Sequence, residues 1–205
     1  MKHYASRQIR EQIASIAARL IATDGINDLA RAKRKAARQA GVAGTRNLPS
    51  NDEVETALRA HLQIYQADEH AARLTHLRTC ALEMMKSLSC FNPHLSGPVL
   101  TGNAARYAAI ELHLFTDDAK GVEFFMQDSK LEYRIRDRRV QRGNLPDTVS
   151  LYAVRTAAAE FEISVFAERD RRLTLRSSAN GRPFRHADAN CVEALLSRSP
   201  SDRTE

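Results

Sequence analysis

The sequence predicts an α+β fold, with a helical N-terminal half and a small mixed β-sheet in the C-terminal half. Three observations carry this. Through residue 90, apolar residues recur at three- and four-residue steps between capping residues, which is helical patterning. At Phe91-Asn92-Pro93 a proline ends helical continuation. Beyond it, apolar and polar residues alternate over short segments, as in strands with two different faces. The reading divides the chain into a helical region (1–90), an α+β domain (91–200) and a frayed tail (201–205).

The first helix is carried by Ile9, Ile13, Ile16, Ala17 and Leu20, which form one apolar stripe between Arg7 and Leu20, and Asp24-Gly25 stops it. A second helix starts near Asn27, a residue suited to an N-cap, and ends at Gly41, suited to the position after a helix. A third opens on Ser50-Asn-Asp-Glu53, a capping-box pattern, and runs to about Gln66. A fourth spans about Glu69 to Ser89, with Leu74, Leu77, Ala81, Leu82, Met85 and Leu88 on one face. Strand patterning follows at Leu95–Leu100, Ala109–Phe115, Leu131–Ile135, Val149–Val154 and Phe161–Phe166. Asp117–Gln127 reads as an amphipathic helix, Arg136–Pro146 as a polar loop or hairpin end, and Ala187–Ser197 as a last helix before the polar tail SRSPSDRTE.

Composition sets limits on function. The chain has 205 residues, 43% of them hydrophobic, no tryptophan and a net charge of +6, so aliphatic packing carries the core. The basic excess suits phosphate-bearing partners. Cys80, Cys90 and Cys191 lack metal or disulfide spacing, which predicts free thiols and a cytoplasmic setting. No apolar run approaches the ~20 residues of a membrane span, so no membrane partner is expected. GxSxG, GxxxxGK[ST] and GxGxxG are absent, which argues against nucleophile-elbow hydrolases, P-loop ATPases and dinucleotide-binding folds. His61, His70 and His76 fall on helices, but no histidine pair has HxxxH spacing, which argues against zinc.

The segment Gly97–Phe115, GPVLTGNAARYAAIELHLF, reads as strand, turn, short helix, strand. On its last strand Ile110, Leu112 and Leu114 share one face, while Ala109, Glu111 and His113 share the other. This segment resembles the signature of the nucleotidyltransferase superfamily, the fold of DNA polymerase β and of the minimal nucleotidyltransferases. There a Gly-Ser ends a first strand and Ser-Asp-x-Asp follows about ten residues later. Here Gly97-Pro98 stands in the first position and Ala108-Ala109-Ile110-Glu111 in the second, with Arg106 where such motifs often carry a basic residue. The resemblance covers roughly Leu82 to Phe166 and implies a sheet of nucleotidyltransferase type.

It also implies a chemistry that this chain only partly supplies. Nucleotidyl transfer needs Mg²⁺ held by oxygen ligands. Glu111 can ligate a metal, Ala109 cannot, and His113 is a poor ligand for a hard cation. Pro98 offers a phosphate neither a hydroxyl nor an N–H. Glu160 or Glu162 stands where a third carboxylate is usual. The candidate catalytic residues are therefore Glu111 and Glu162, with Glu111 as the metal ligand and Mg²⁺ as the only cofactor entertained. Gly97, Arg106, His113, Arg134 and Arg136 are the candidate phosphate- or nucleotide-binding residues.

Three basic clusters accompany the motif: Arg31–Arg38, Arg134–Arg142 and Arg169–Arg176. Each also has the composition of a solvated surface, and Asp137 and Asp170 interrupt the last two. The run IASIAARLIATDGINDLARAKRKAARQAGV resembles the N-terminal helix-turn-helix of tetracycline-repressor-like regulators. The leading expectation is a nucleotidyltransferase fold with a degenerate catalytic site, acting in nucleotide or nucleic-acid binding or regulation. An active Mg²⁺-dependent nucleotidyltransferase and a helix-turn-helix-like DNA-binding regulator are the alternatives, and homo-oligomerisation is left open.

Overall fold

The computed structural model describes residues 2–26, 28–45, 47–65, 67–143, 145–177 and 181–197. The fold is α+β, and the chain forms two compact units. The first comprises Met1–Ala72 with Gly102–Ala108, the second Arg73–Thr101 with Ala109–Glu205. The division falls inside the fourth helix, where the sequence pattern had suggested residue 90.

The first unit contains α1 (Lys2–Asp24), α2 (Leu29–Gln39) and α3 (Asn51–Tyr65). Its core joins Ile13, Leu20 and Ile21 to Val54, Leu58 and Leu62, with Ala17, Ala32, Ala36 and Ala105 filling the gaps. Small side chains on α1 and α2 let the helix backbones approach closely. The predicted N-cap Asn27 lies outside the described residues. The cap is Asp28, whose carboxylate accepts from the Ala30 and Arg31 amides. Gly41, at φ +73°, follows the end of α2 as expected. The capping box forms in full: the Ser50 amide donates to Glu53 Oε2 at 2.6 Å and the Glu53 amide to Ser50 Oγ at 3.1 Å. The predicted end of α3 at Gln66 and the tail from Arg198 also lie outside the described residues.

The second unit is built on a six-stranded mixed sheet of order β1-β2-β5-β4-β3-β6. The strands are β1 (Pro93–Ser96), β2 (Ile110–Phe115), β3 (Glu132–Arg142), β4 (Leu145–Arg155), β5 (Glu160–Phe166) and β6 (Leu175–Ser177). β2 and β5 run parallel, and every other neighbouring pair is antiparallel. The helices are α4 (Ala67–Ser87, joining this unit from Arg73), α5 (Gly97–Thr101), α6 (Ala119–Asp128) and α7 (Ala189–Ser197). One sheet face carries Leu95, Ile110, Leu112, Leu114, Phe161 and Ile163, all buried. The opposite face has a second core at one end, formed by Phe115, Val140, Val149, Phe166 and Leu175, with Phe184 packed against it.

Two local expectations need correction. Leu95–Leu100 is not one strand: β1 ends at Ser96 and α5 begins at Gly97. Gly97 takes φ +68°, which turns the chain, and Pro98 then sits in the first helical turn, where its missing N–H costs nothing. Of the two readings of Arg136–Pro146, the loop fails and the hairpin end holds. β3 and β4 pair over eleven residues each, from Glu132↔Arg155 to Arg142↔Leu145. Backbone pairing along a full ladder holds the polar side chains of β3 in strand conformation without an apolar face.

Candidate carboxylate–arginine site

The second sheet face carries a charged cluster beside the aromatic core. Glu111 on β2 and Glu162 on β5 are direct partners in the parallel register, so their side chains leave the same face of adjacent strands about 4.8 Å apart. Arg138 reaches across from β3. Its Nη2 donates to Glu111 Oε2 at 2.5 Å and its Nη1 to Ser164 Oγ at 3.2 Å. The arginine and Glu111 side chains are only 19% and 20% exposed, so their charge-assisted contact is partly shielded from water.

Electrostatics ties the two carboxylates together. Burial raises the Glu162 carboxyl above its ordinary value, the Glu111 charge raises it further, and Arg138 and Arg136 pull it back. On the other side of Glu111 stands Gly97. A Cβ built there would lie 2.6 Å from the Glu111 carboxyl carbon and Oε1, so the glycine lets the backbone approach the carboxylate. Ser96, paired with Glu111 across β1 and β2, is buried, and its Oγ has no hydrogen-bond partner among the described residues.

The remaining predicted residues separate. Arg134 and Arg136 are exposed and share the β3 face of Arg138 by two-residue alternation. Glu160 is drawn into an exposed ion pair with Arg155 at 2.6 Å. Arg106 belongs to the other compact unit, with its guanidinium 5.7 Å from the Tyr107 ring centroid. His113, expected beside Glu111 as a phosphate-binding residue, is fully buried. Its Nδ1 lies 2.8 Å from His186 Nε2, so one imidazole donates and the other accepts, and its ring packs on Phe166 and Phe184. Burial lowers its basicity well below the ordinary histidine value, and nearby Arg138, His186 and His94 act in the same direction.

The donor set does not fit Mg²⁺. Ala109 lies outside β2 and brings no oxygen ligand, and of the two carboxylates present Glu111 is already engaged by a guanidinium. Among the described residues, no group of three His, Cys, Asp or Glu side chains is arranged to hold a metal ion. What the arrangement can do is bind: a carboxylate pair with one internal cation, beside two exposed arginines.

The sequence reading set Arg138 in the Arg134–Arg142 basic cluster but did not join it to the carboxylates, and it missed Ser164 and His186. Arg138 had a usable signal, because Arg134, Arg136 and Arg138 alternate and would share a face if the segment were a strand. The other two carried none. In the first unit, residues 40–50 separate α2 from α3, and α3 opens on Asp52 and Glu53, an acidic first turn that repels a phosphate backbone. Comparison of the chain with protein-family models, with curated proteins and with solved structures finds no match. Among the described residues, no helix is long and apolar enough to cross a membrane.

Proposed function

We propose that this protein has a nucleotidyltransferase-type domain with a degenerate catalytic site, and that it binds a nucleotide or nucleic acid without transferring a nucleotidyl group. The observation that carries this reading is the Glu111–Arg138 pair beside Glu162. The two carboxylates occupy neighbouring strands behind a glycine turn, as the resemblance implies for a metal site. The positive charge beside them comes from the chain itself. Arg138 is held by Glu111 and Ser164, and a cation entering between the carboxylates would have to displace it. Arg134 and Arg136, exposed on the same face, offer planar donors that match phosphate oxygens.

The test is to incubate the protein with Mg²⁺ and each nucleoside triphosphate and to follow pyrophosphate release, with nucleotide and oligonucleotide binding measured in parallel. The expected result is binding that weakens with salt and with Arg136→Gln, and no release above background. Mg²⁺-dependent release abolished by Glu111→Gln would overturn the reading.

A further inference from the structure

A second site lies at the far end of the same sheet, where β5 gives way to the 3₁₀ turn Glu168–Arg172. Glu162 and Phe166 are four residues apart on β5, so the turn begins more than roughly 13 Å along the strand from the carboxylate–arginine cluster. Glu168, Arg169, Arg171 and Arg172 line a cavity of about 180 Å³ that opens to solvent. The three arginines are exposed, and none of their guanidiniums makes a hydrogen bond or ion pair with another described residue. With the Glu168 charge counted, the lining carries two net positive charges.

The turn that presents these arginines is firmly held. Asp170, at its centre, is fully buried, and its Oδ2 receives Arg142 Nη2 at 2.5 Å. Arg142 also pairs with Asp147 on β4 at 2.9 Å. The Asp170 amide donates to the Ala167 carbonyl and the Leu173 amide to the Asp170 carbonyl, which closes the turn at both ends. The Glu168 amide donates to Asp117 Oδ1, just beyond β2, and the Thr116 amide to the Phe166 carbonyl. The ends of β2, β3, β4 and β5 therefore all bear on a five-residue turn. The acidic residue inside RDRR is directed inward to anchor it, while the basic residues around it line the cavity. Three unpartnered guanidiniums beside one cavity repel each other, and a dianion between them relieves that repulsion.

We infer that the Glu168–Arg172 turn is a receptor for a dianionic phosphate group, with Arg169, Arg171 and Arg172 as its donors. Guanidinium forks match the geometry of phosphate oxygens, and a doubly charged terminal phosphate balances the two net positive charges, whereas a single phosphodiester does not. The site is separate from the carboxylate–arginine cluster and does not depend on the function proposed for it.

The test uses the full chain with arginine side-chain NMR and titration calorimetry, and three probes: inorganic phosphate, inorganic pyrophosphate, and a single-stranded oligonucleotide without a terminal phosphate. Both inorganic anions should shift the Arg169, Arg171 and Arg172 Nε resonances. Each single Arg→Gln change, on an exposed side chain that leaves the fold intact, should weaken pyrophosphate about tenfold, the loss of roughly one charge-assisted hydrogen bond. Arg→Lys should restore part of the loss. The Nε shifts of Arg169, Arg171 and Arg172 report on this turn alone, which separates the outcome from that of the carboxylate cluster. Pyrophosphate affinity unchanged by Arg169→Gln/Arg171→Gln/Arg172→Gln, unmoved Nε resonances of these three arginines, or an oligonucleotide that shifts those resonances at lower concentration than pyrophosphate would each overturn the inference.

Discussion

Arg138→Met is the most informative perturbation of the carboxylate cluster. Methionine keeps most of the aliphatic volume and a contact with the Phe184 ring, whose centroid lies 5.4 Å from the guanidinium carbon, but removes the cation. Two unit charges about 4 Å apart interact by about 4 kcal/mol at the effective dielectric of a partly buried site. The pair is 19% and 20% exposed, so its loss should fall between an exposed ion pair, at most about 1 kcal/mol, and a fully buried one, about 3–5 kcal/mol. A loss of about 2–3 kcal/mol at neutral pH is expected. It should depend on pH, because Arg138 is one of the charges that hold the Glu162 carboxyl down. Without it, the folded-state pKa of Glu162 rises further above its unfolded value. A raised carboxyl contributes stability that is complete below the unfolded pKa and is lost as pH climbs through the folded one. The destabilisation should therefore be smaller near about pH 5 than near about pH 8, and Glu162→Gln in the same chain should recover about half of it. Hydrogen exchange in β2 and β5 peptides reports the local opening free energy of this unit without averaging over the helical one. A loss that is the same at both pH values and unaffected by Glu162→Gln would refute the claim that the two carboxylates share Arg138.

Further expectations follow from individual contacts. Gly97→Ala should cost about 1–2 kcal/mol for the positive φ alone, and more while Glu111 is present, because the new methyl meets its carboxyl at 2.6 Å; urea unfolding of Gly97→Ala with and without Glu111→Ser separates the two parts. Burial depresses His186 from 6.5 to about 4. For a base whose folded pKa is lowered, stability present above the unfolded pKa is lost as pH falls, here between 6.5 and about 4. The full shift corresponds to about 3 kcal/mol, which solvent screening of this incompletely buried ring reduces to roughly 1–2 kcal/mol. Proton NMR should show the His186 ring titrating near 4, and titration at an ordinary histidine value would contradict the buried His113–His186 contact. Ser50→Ala removes one side of the reciprocal cap of α3 and should lower the stability of the helical unit by about 1 kcal/mol, read as earlier exchange of α3 amides.

The geometry of Gly97–Phe115 was legible in part. Gly97 and Glu111 do meet, and Glu162 does stand beside Glu111, because strand alternation and a glycine turn are local properties that spacing reveals. The partner that decides what the carboxylates do, Arg138, lies in a stretch whose sequence suits a polar loop or a hairpin end equally. Arg136–Arg142 has no apolar alternation, and the two-residue spacing of its arginines does not by itself mark it as the inner strand of a ladder between β4 and β6.

What the sequence determined alone is the periodic and capped structure. Examples are the stripe of α1, the Ser50–Glu53 box, the glycine after α2 and the alternation of β2, each set by residues within a few positions of one another. Tertiary structure alone decided which polar groups are buried and with whom. His113 looked like a ligand-facing residue because it shares a strand face with Glu111. It is core because His186, 73 residues later, and Phe184 close over it. Asp170 looked like a charge that dilutes an arginine run, but Arg142, 28 residues earlier, takes it inside. Burial of a polar side chain is set by the partner that satisfies it, and at such separations only the folded chain brings that partner into reach.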